Sequence, residues 1–326
     1  MSFTSLLRLG ADDRANSPEI VGRKTCEDPY AEQMLRSGRY CRLLRDESPD
    51  GWETQAVAVA SNALEREMTL VPAGSTVVEP IASLDANTDT HPAADVEPTT
   101  EDSFFIDRCA VTNAQYERFV KAKGYREVEF WPEDILPFLF QFVDQTDQYG
   151  PCGWRDGEPP RDQGDHPVVG ICWYEANAYA LWVGKTLATS AQWQRAGTWW
   201  KPQVRFPWGQ CFEPERANTG SSGHGETVPV SDYANGSTPN GIHQLIGNVW
   251  EWVYATIEHV HDGRDLVALQ EPLGEIRGGA FDTYFASQAT CQFRSGQPLF
   301  LRAPNTGFRC CVPASALHLL QVGEPQ

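Results

Sequence analysis

The chain has 326 residues, of which 41% are hydrophobic and 11% aromatic, enough to bury a large core in one domain or two smaller ones. Its formal charge of −18 argues against non-specific binding to DNA, RNA or an anionic membrane, because phosphate groups repel an acidic surface. The 27 glycines, 23 prolines and 11 tryptophans are typical of a loop-rich fold and not of a helical bundle.

The N-terminus lacks the continuous apolar core of a secretory signal, and no apolar run reaches the length of about 18 residues that a membrane span needs. We therefore expect a cytoplasmic protein whose thiols stay reduced. The nine cysteines are an odd number and include no Cys-x-x-Cys pair, so no structural zinc site is predicted.

Residues 1–66 are polar and charged, with helical patterns over residues 30–44 and 55–67. We predict a partly helical N-terminal extension that docks on the main body or on a partner, followed by a main domain over residues 67–326. Residues 80–101 carry almost no large apolar side chains, so burial cannot offset their ordering entropy. A mobile insert is predicted there.

Local signals mark three helices in the main domain. Thr112 caps the first, which Gly124 ends; the second follows residues 166–169 and ends at Gly184; Thr189 opens the third with a capping box. Short strands are predicted over residues 68–74, 104–107, 275–279 and 306–310. No repeat of fixed period is present. These patterns predict one irregular α+β domain tied together by ordered loops.

The segment 241–252 is the most apolar motif and is predicted to form a compact, buried turn. Only Asn248 and Glu251 interrupt its hydrophobic part with oxygen-bearing side chains. A carboxylate between two indoles is costly to bury unless it meets a cation, a hydrogen-bond donor or a metal. Two alternatives follow for Glu251. It forms an ion pair with Arg277 or Arg309, or it binds a metal.

Eight short motifs follow one another in the order of a known family. They are Met68-Thr-Leu-Val-Pro-Ala-Gly, Val111-Thr-Asn-Ala-Gln-Tyr, His166-Pro-Val-Val, Leu187-Ala-Thr-Ser-Ala-Gln-Trp, Phe206-Pro-Trp-Gly, Gly247-Asn-Val-Trp-Glu-Trp, Ile276-Arg-Gly-Gly and Gly307-Phe-Arg. Their succession over about residues 67–312 resembles the formylglycine-generating enzyme, or sulfatase-modifying factor, family. The resemblance implies a C-type-lectin-like fold of that family's loop-rich type, with short strands and few helices.

Founding members of this family oxidise a sulfatase cysteine with copper(I) held by two cysteines. Counting back from Gly307, the resemblance places Cys291 at the second of these positions and Ala286 at the first. Copper(I) prefers two near-linear thiolates, which one thiol beside a methyl group cannot supply. We therefore predict that the copper site is lacking and that Cys291 is catalytic only if a distant cysteine completes it. Iron-dependent relatives use a histidine cluster on a helical domain, and residues 1–66 contain no histidine.

Calcium is the metal that the resemblance favours. Family members bind it through carbonyl and carboxylate oxygens on two loops. Asn248 and Glu251 match the second loop, and Asn218 and Thr219 match the start of the first. An asparagine, a glutamate and turn carbonyls are the oxygen ligands that calcium prefers.

Three functions remain open at this stage. The first is a non-catalytic module that binds a protein or peptide through residues 281–305, with Tyr284, Phe285, Arg294 and Phe300 as contacts; Arg294 is expected first to tie core strands together. The second is a metal-dependent oxidase or oxygenase acting on a peptide or small thiol. The third is a retroelement-diversified receptor with its variable residues in this same stretch.

Overall fold

The computed structural model describes residues 29–45, 54–79, 96–261 and 266–319. Within these ranges six α-helices, ten mostly short strands and long ordered loops confirm the predicted α+β class. The helices are α1 (Pro29–Ser37), α2 (Tyr40–Leu44), α3 (Thr54–Glu67), α4 (Asn113–Lys121), α5 (Trp173–Trp182) and α6 (Ser190–Thr198). The strands are β1 (Met68–Val71), β2 (Gly74–Thr76), β3 (Thr99–Glu101), β4 (Phe104–Asp107), β5 (Thr186–Leu187), β6 (Trp250–His261), β7 (Leu266–Arg277), β8 (Arg294–Pro298), β9 (Thr306–Phe308) and β10 (Cys310–Pro313).

The N-terminal helices pack on the main body. Residues 30–44, predicted as one helical stretch, form α1 and α2 because Gly38, with a φ of +80°, interrupts the helix between them. Buried apolar side chains of α1, α2 and α3 form one cluster with Met68, Val312 and Leu317. No helix in the described ranges is both long and apolar enough to cross a membrane.

Three sheets organise the chain. The first has the order β1-β4-β10-β5 and the third the order β8-β7-β6-β9; all pairings are antiparallel except that of β6 with β9. The second sheet pairs β2 with β3. Residues 99–101 of the predicted mobile insert therefore form a strand, because the backbone of residues 74–76 supplies their hydrogen-bond partners. Residues 80–95 lie outside the described part of the chain.

The strands β6 and β7 are each 12 residues long and form the largest difference from the sequence prediction. The segment 241–252, predicted as a turn, enters β6 at Trp250, and β7 begins at Leu266, well before the strand predicted over residues 275–279. Both errors have one cause, since the hydrogen-bond partners of β6 lie on β7 and β9, at distant places in the sequence.

The capping signals placed the helices of the main domain correctly. Thr112 accepts a hydrogen bond from the backbone N–H of Gln115, and Thr189 accepts one from Gln192, which completes a capping box at each helix start. An aromatic core joins α4 to α5, where Tyr116 stacks on Tyr179 with ring centroids 5.3 Å apart. A second core gathers α6, β4 and the segment 241–252. The residues of the candidate functional site pack against these two hydrophobic cores.

Candidate functional site

Glu251 forms a buried ion pair at the centre of the molecule. The residue is 1% exposed, and its carboxylate accepts hydrogen bonds from Arg309 Nε (2.8 Å) and Nη2 (2.8 Å) and from Trp193 Nε1 (2.7 Å). Arg309 also donates to the backbone carbonyls of Asp107 and His243. The pair therefore joins β6, β4 and the segment before β6, and it matches the Arg309 alternative predicted for Glu251.

Asn218 and Asn248 form a buried amide pair beside this ion pair. Asn218 Nδ2 donates to Asn248 Oδ1 (3.1 Å), and the backbone N–H of Asn248 donates to the carbonyl of Asn218 (2.7 Å). Asn248 has a φ of +65°, a conformation that asparagine tolerates better than most residues. Before it, Gly247 has a φ of +81°, and a Cβ there would lie 2.5 Å from the Asn218 carbonyl oxygen. The two loops are thus held in close contact.

The oxygens predicted for calcium already accept hydrogen bonds within the protein. Asn248 Oδ1 accepts from the backbone N–H of Val228, and Asn218 Oδ1 accepts from Ser222 Oγ. Thr219 Oγ1 lies 2.9 Å from Ser221 Oγ. Both oxygens of Glu251 face Arg309. This arrangement does not fit a bound cation without rearrangement, and calcium at Asn218, Thr219, Asn248 and Glu251 stays a prediction.

Arg277 and Glu275 form a second buried pair, with Nε and Oε1 2.9 Å apart. Arg277 also donates to the backbone carbonyls of residues 291–293 and to Ser190 on α6, and its guanidinium lies 5.5 Å from the centre of the Trp193 ring. Arg294 donates to Glu275 (2.6 Å) and to the carbonyl of Glu79. The structure thus places Arg294 in the structural role expected first for it, tying β7, β8 and residue 79 together.

The Cys291 thiol is fully buried inside the second core. A Cβ added to Gly197 on α6 would lie 2.6 Å from Cys291 Sγ, so the sulfur packs directly on the helix backbone. Burial raises the pKa of the thiol to about 12, although Arg277 lowers it. The thiolate, which binds metals and acts as a nucleophile, is therefore disfavoured at neutral pH.

The two positions that correspond to the family's copper-binding cysteines, Ala286 and Cys291, differ in environment. Ala286 is exposed, whereas Cys291 is sealed under α6. A buried neutral thiol opposite an exposed methyl group does not fit copper(I), which needs two thiolates within bonding reach. The eight cysteines of the described ranges are free thiols, and no three His, Cys, Asp or Glu side chains in those ranges gather as a metal site.

Tyr284 and Phe285 are exposed on the surface and lie a few residues before Cys291 in the sequence. They are 78% and 68% exposed, respectively. Their backbone is fixed on its N-terminal side, because the N–H of Phe281 donates to the carbonyl of Asn248 and the N–H of Gly220 donates to the carbonyl of Thr283. A Cβ at Gly220 would lie 2.8 Å from the Tyr284 ring, so the ring rests on that glycine. Two exposed aromatic side chains thus project from an anchored loop.

Phe300 lies in a different surface region from Tyr284 and Phe285. It follows the far end of β8, and its ring contacts Phe138 and Tyr174 at centroid distances of 5.6 and 5.0 Å. The five residues of β8, roughly 17 Å long, lie between Phe285 and Phe300 in the sequence. No signal in the sequence indicates these partners of Phe300, because Phe138 and Tyr174 lie far from it along the chain.

Comparison with known proteins identifies relatives of this chain. The model of the family described as sulfatase-modifying factor enzyme 1-like domain matches residues 54–314. The chain is 27% identical over 354 residues to the formylglycine-generating enzyme of Bos taurus, a match that covers 96% of this chain and 90% of that protein. It is 32% identical over 198 residues to the hercynine oxygenase of Mycolicibacterium smegmatis, covering 56% of this chain and 44% of that protein.

A solved structure shares the fold. PvdO from Pseudomonas aeruginosa matches with a TM-score of 0.51 at 22% identity, over 75% of this chain and 93% of that one. This likeness shows a common fold, which is C-type-lectin-like as the motif order predicted. Because the family model spans residues 54–314, well over half of the sequence, this chain belongs to the sulfatase-modifying factor, or formylglycine-generating enzyme, family.

Proposed function

We propose that this chain is a non-catalytic member of its family that binds a protein or peptide partner through the loop carrying Tyr284 and Phe285. One contrast carries the proposal: on a single segment, Cys291 is 0% exposed while Tyr284 is 78% exposed. The residue expected to perform chemistry is inaccessible, and the residues suited to recognition face solvent.

The loop has the properties of an interface anchor. Tyrosine and phenylalanine supply large contact areas, and aromatic residues are enriched in the cores of protein interfaces. The backbone hydrogen bonds at Phe281 and Gly220, and those from Asn305 Nδ2 to Asp282, order the loop before a partner arrives. Ordering in advance reduces the entropy lost on binding. These contacts support recognition without a chemical step.

The double variant Tyr284→Ala/Phe285→Ala is expected to lose partner binding by about tenfold or more, because it removes both exposed anchors. The measurement is quantitative mass spectrometry of proteins that the immobilised chain captures from its native host, followed by titration of the captured partner. Cys291→Ala and Val267→Ala are the controls; Val267 is an exposed apolar residue on β7, and we expect both controls to capture the partner normally.

Two results would overturn this proposal. Equal partner affinity in the wild type and the double variant would remove the loop from the interface. A captured partner that returns with a cysteine converted to an aldehyde, in a reaction lost in Cys291→Ala, would show an enzyme. Thermal unfolding of each variant separates lost binding from lost folding.

A metal-dependent oxidase or oxygenase acting on a peptide or small thiol is the second candidate. The similarity to the bovine formylglycine-generating enzyme and to a hercynine oxygenase favours it. Cys291 would then be the metal or redox thiol, and it would need exposure from beneath Gly197 and a second sulfur. The burial of Cys291 is the observation against it.

Metal analysis decides between the two candidates. Because the Cys291 thiol is buried and protonated at neutral pH, we expect less than one copper per chain after copper(I) loading, with the same content in Cys291→Ala. The measurement is elemental analysis after gel filtration. One copper per chain in the wild type, absent from Cys291→Ala, would contradict the non-catalytic proposal and support the oxidase.

A further inference from the structure

A row of aromatic rings crosses the surface away from the Tyr284 loop. We call it the aromatic face and define it by Phe138, Phe300, Tyr174, Trp173 and Tyr254. Neighbouring rings lie 5.6, 5.0, 5.4 and 5.7 Å apart in that order. Four separate segments contribute to it: the 3₁₀ helix Leu136–Gln141, the β8–β9 loop, the start of α5 and strand β6. Tertiary structure, and not a local sequence motif, therefore builds the face.

The aromatic face is exposed although its members are fixed. Tyr254 is 56% exposed, and Phe138 and Phe300 are each 42% exposed. Trp173 donates its indole N–H to the carbonyl of Val253 (2.9 Å), and its backbone N–H donates to the carbonyl of Leu299. Exposed aromatic side chains held in place by the backbone cost little conformational entropy on binding. Contiguous exposed apolar patches rimmed by polar residues are typical of interaction sites.

Carboxylates are concentrated in the sequence around Phe138. Residues 127–149 contain six Asp and Glu residues and no Lys or Arg, and Asp144 among them is buried. Glu133 and Asp134 are exposed immediately before the 3₁₀ helix. Burial, followed by the nearby carboxylate of Asp134, raises the pKa of the Tyr174 hydroxyl. Arg302, the basic residue closest in sequence to Phe300, has its guanidinium 2.8 Å from the carboxylate of Glu175.

We propose that the aromatic face binds a basic segment of a protein partner, whose arginine side chains lie over the rings and opposite Glu133 and Asp134. Charge complementarity selects this occupant, because Glu133 and Asp134 present exposed carboxylates a few residues before Phe138. Arginine stacks on aromatic rings and pairs with carboxylates, so one side chain satisfies both features. An anionic surface would be repelled. This second surface goes beyond the loop of the proposed function and does not depend on it.

The test uses a fluorescein-labelled peptide of repeated Arg-Leu-Arg-Gly, with a Glu-Leu-Glu-Gly peptide and a Gln-Leu-Gln-Gly peptide as matched probes. Fluorescence anisotropy with the full chain at physiological ionic strength is expected to give at least about tenfold tighter binding of the arginine peptide than of either control. Tyr254→Ala should weaken that binding about tenfold. Glu133→Gln/Asp134→Asn should weaken it several-fold and flatten its salt dependence. Val267→Ala should leave it unchanged.

The alternative outcomes differ in which peptides bind and in which variants lose binding. Equal binding of the three peptides would overturn the proposal. Binding that falls in Glu133→Gln/Asp134→Asn but is unchanged in Tyr254→Ala and Phe300→Ala would show attraction by charge alone and also overturn it. Loss in Tyr284→Ala/Phe285→Ala alone would move the basic segment to the other loop, which leaves the proposed function standing. Concentration-dependent self-association abolished by Tyr254→Ala, without peptide binding, would make a second copy the occupant.

Discussion

Replacing Glu251 by alanine is expected to lower the free energy of unfolding by about 3–5 kcal/mol, the usual cost of leaving a buried charge without its partner. Arg309 would keep its hydrogen bonds to backbone carbonyls, but no anion would face its guanidinium. The indole N–H of Trp193 would also lose its acceptor. Urea unfolding followed by circular dichroism measures the change.

Two comparisons make this result specific. Glu258→Ala changes an exposed carboxylate on the same strand and should alter the stability by about 0.5 kcal/mol or less. Wild-type stability should be the same with calcium and with a chelator, because Arg309 already pairs with both oxygens of Glu251. A loss near zero in Glu251→Ala would contradict the importance of the pair. A chelator that lowers the melting temperature of the wild type, but not of Glu251→Gln, would support calcium at this position.

The features predicted correctly from the sequence were those determined by neighbouring residues. Thr112 and Thr189 mark helix starts because a capping box is complete within four residues. Gly184, with a φ of +78°, follows the end of α5 for an equally local reason. The family followed from the order of eight such short motifs. Each of these signals can be recognised without knowing what lies across the core.

The features that could not be predicted depend on contacts between distant residues. Glu251 was left with two candidate arginines, and the choice of Arg309 depends on the parallel pairing of β9 with β6. The fate of Cys291 depends on Gly197, whose missing side chain admits the sulfur against α6. The grouping of Phe300 with Tyr254 through Trp173 and Tyr174 likewise appears only when α5 is placed beside β6 and the β8–β9 loop.

Buried charge also holds the exposed loop that carries Tyr284 and Phe285. Backbone hydrogen bonds hold the segment 281–293 near its ends, from Phe281 to Asn248 and from Gly220 to Thr283 at one end and from Cys291 to Arg205 at the other. Between β7 and β8 it forms no strand of its own. The guanidinium of Arg277 gives the C-terminal end of this segment a further attachment, because it donates hydrogen bonds to the backbone carbonyls of residues 291–293. The loop that carries two exposed aromatic side chains is thus attached to the core through a buried cation.

Arg277→Met is accordingly expected to lower the free energy of unfolding by about 3 kcal/mol, because methionine fills the space but leaves several buried acceptors without a donor. The carbonyls of residues 291–293 and of Ser190 are those acceptors. The amides of residues 284–293 should also exchange with deuterium faster than in the wild type. Urea unfolding and hydrogen exchange measured by mass spectrometry give the two readings.

The matched change Arg277→Lys keeps the charge but not the fork of donors, so it should recover only a small part of the stability. Burial lowers the pKa of Arg277 to about 10, although Glu275 raises it, which shows that the pair does not fully offset the cost of burying the cation. Arg277→Met/Glu275→Gln should therefore be less destabilised than the sum of its single variants, since Arg294 is partly exposed and can be solvated. Stability lost without faster exchange in residues 284–293 would show that Arg277 supports the core but not the recognition loop.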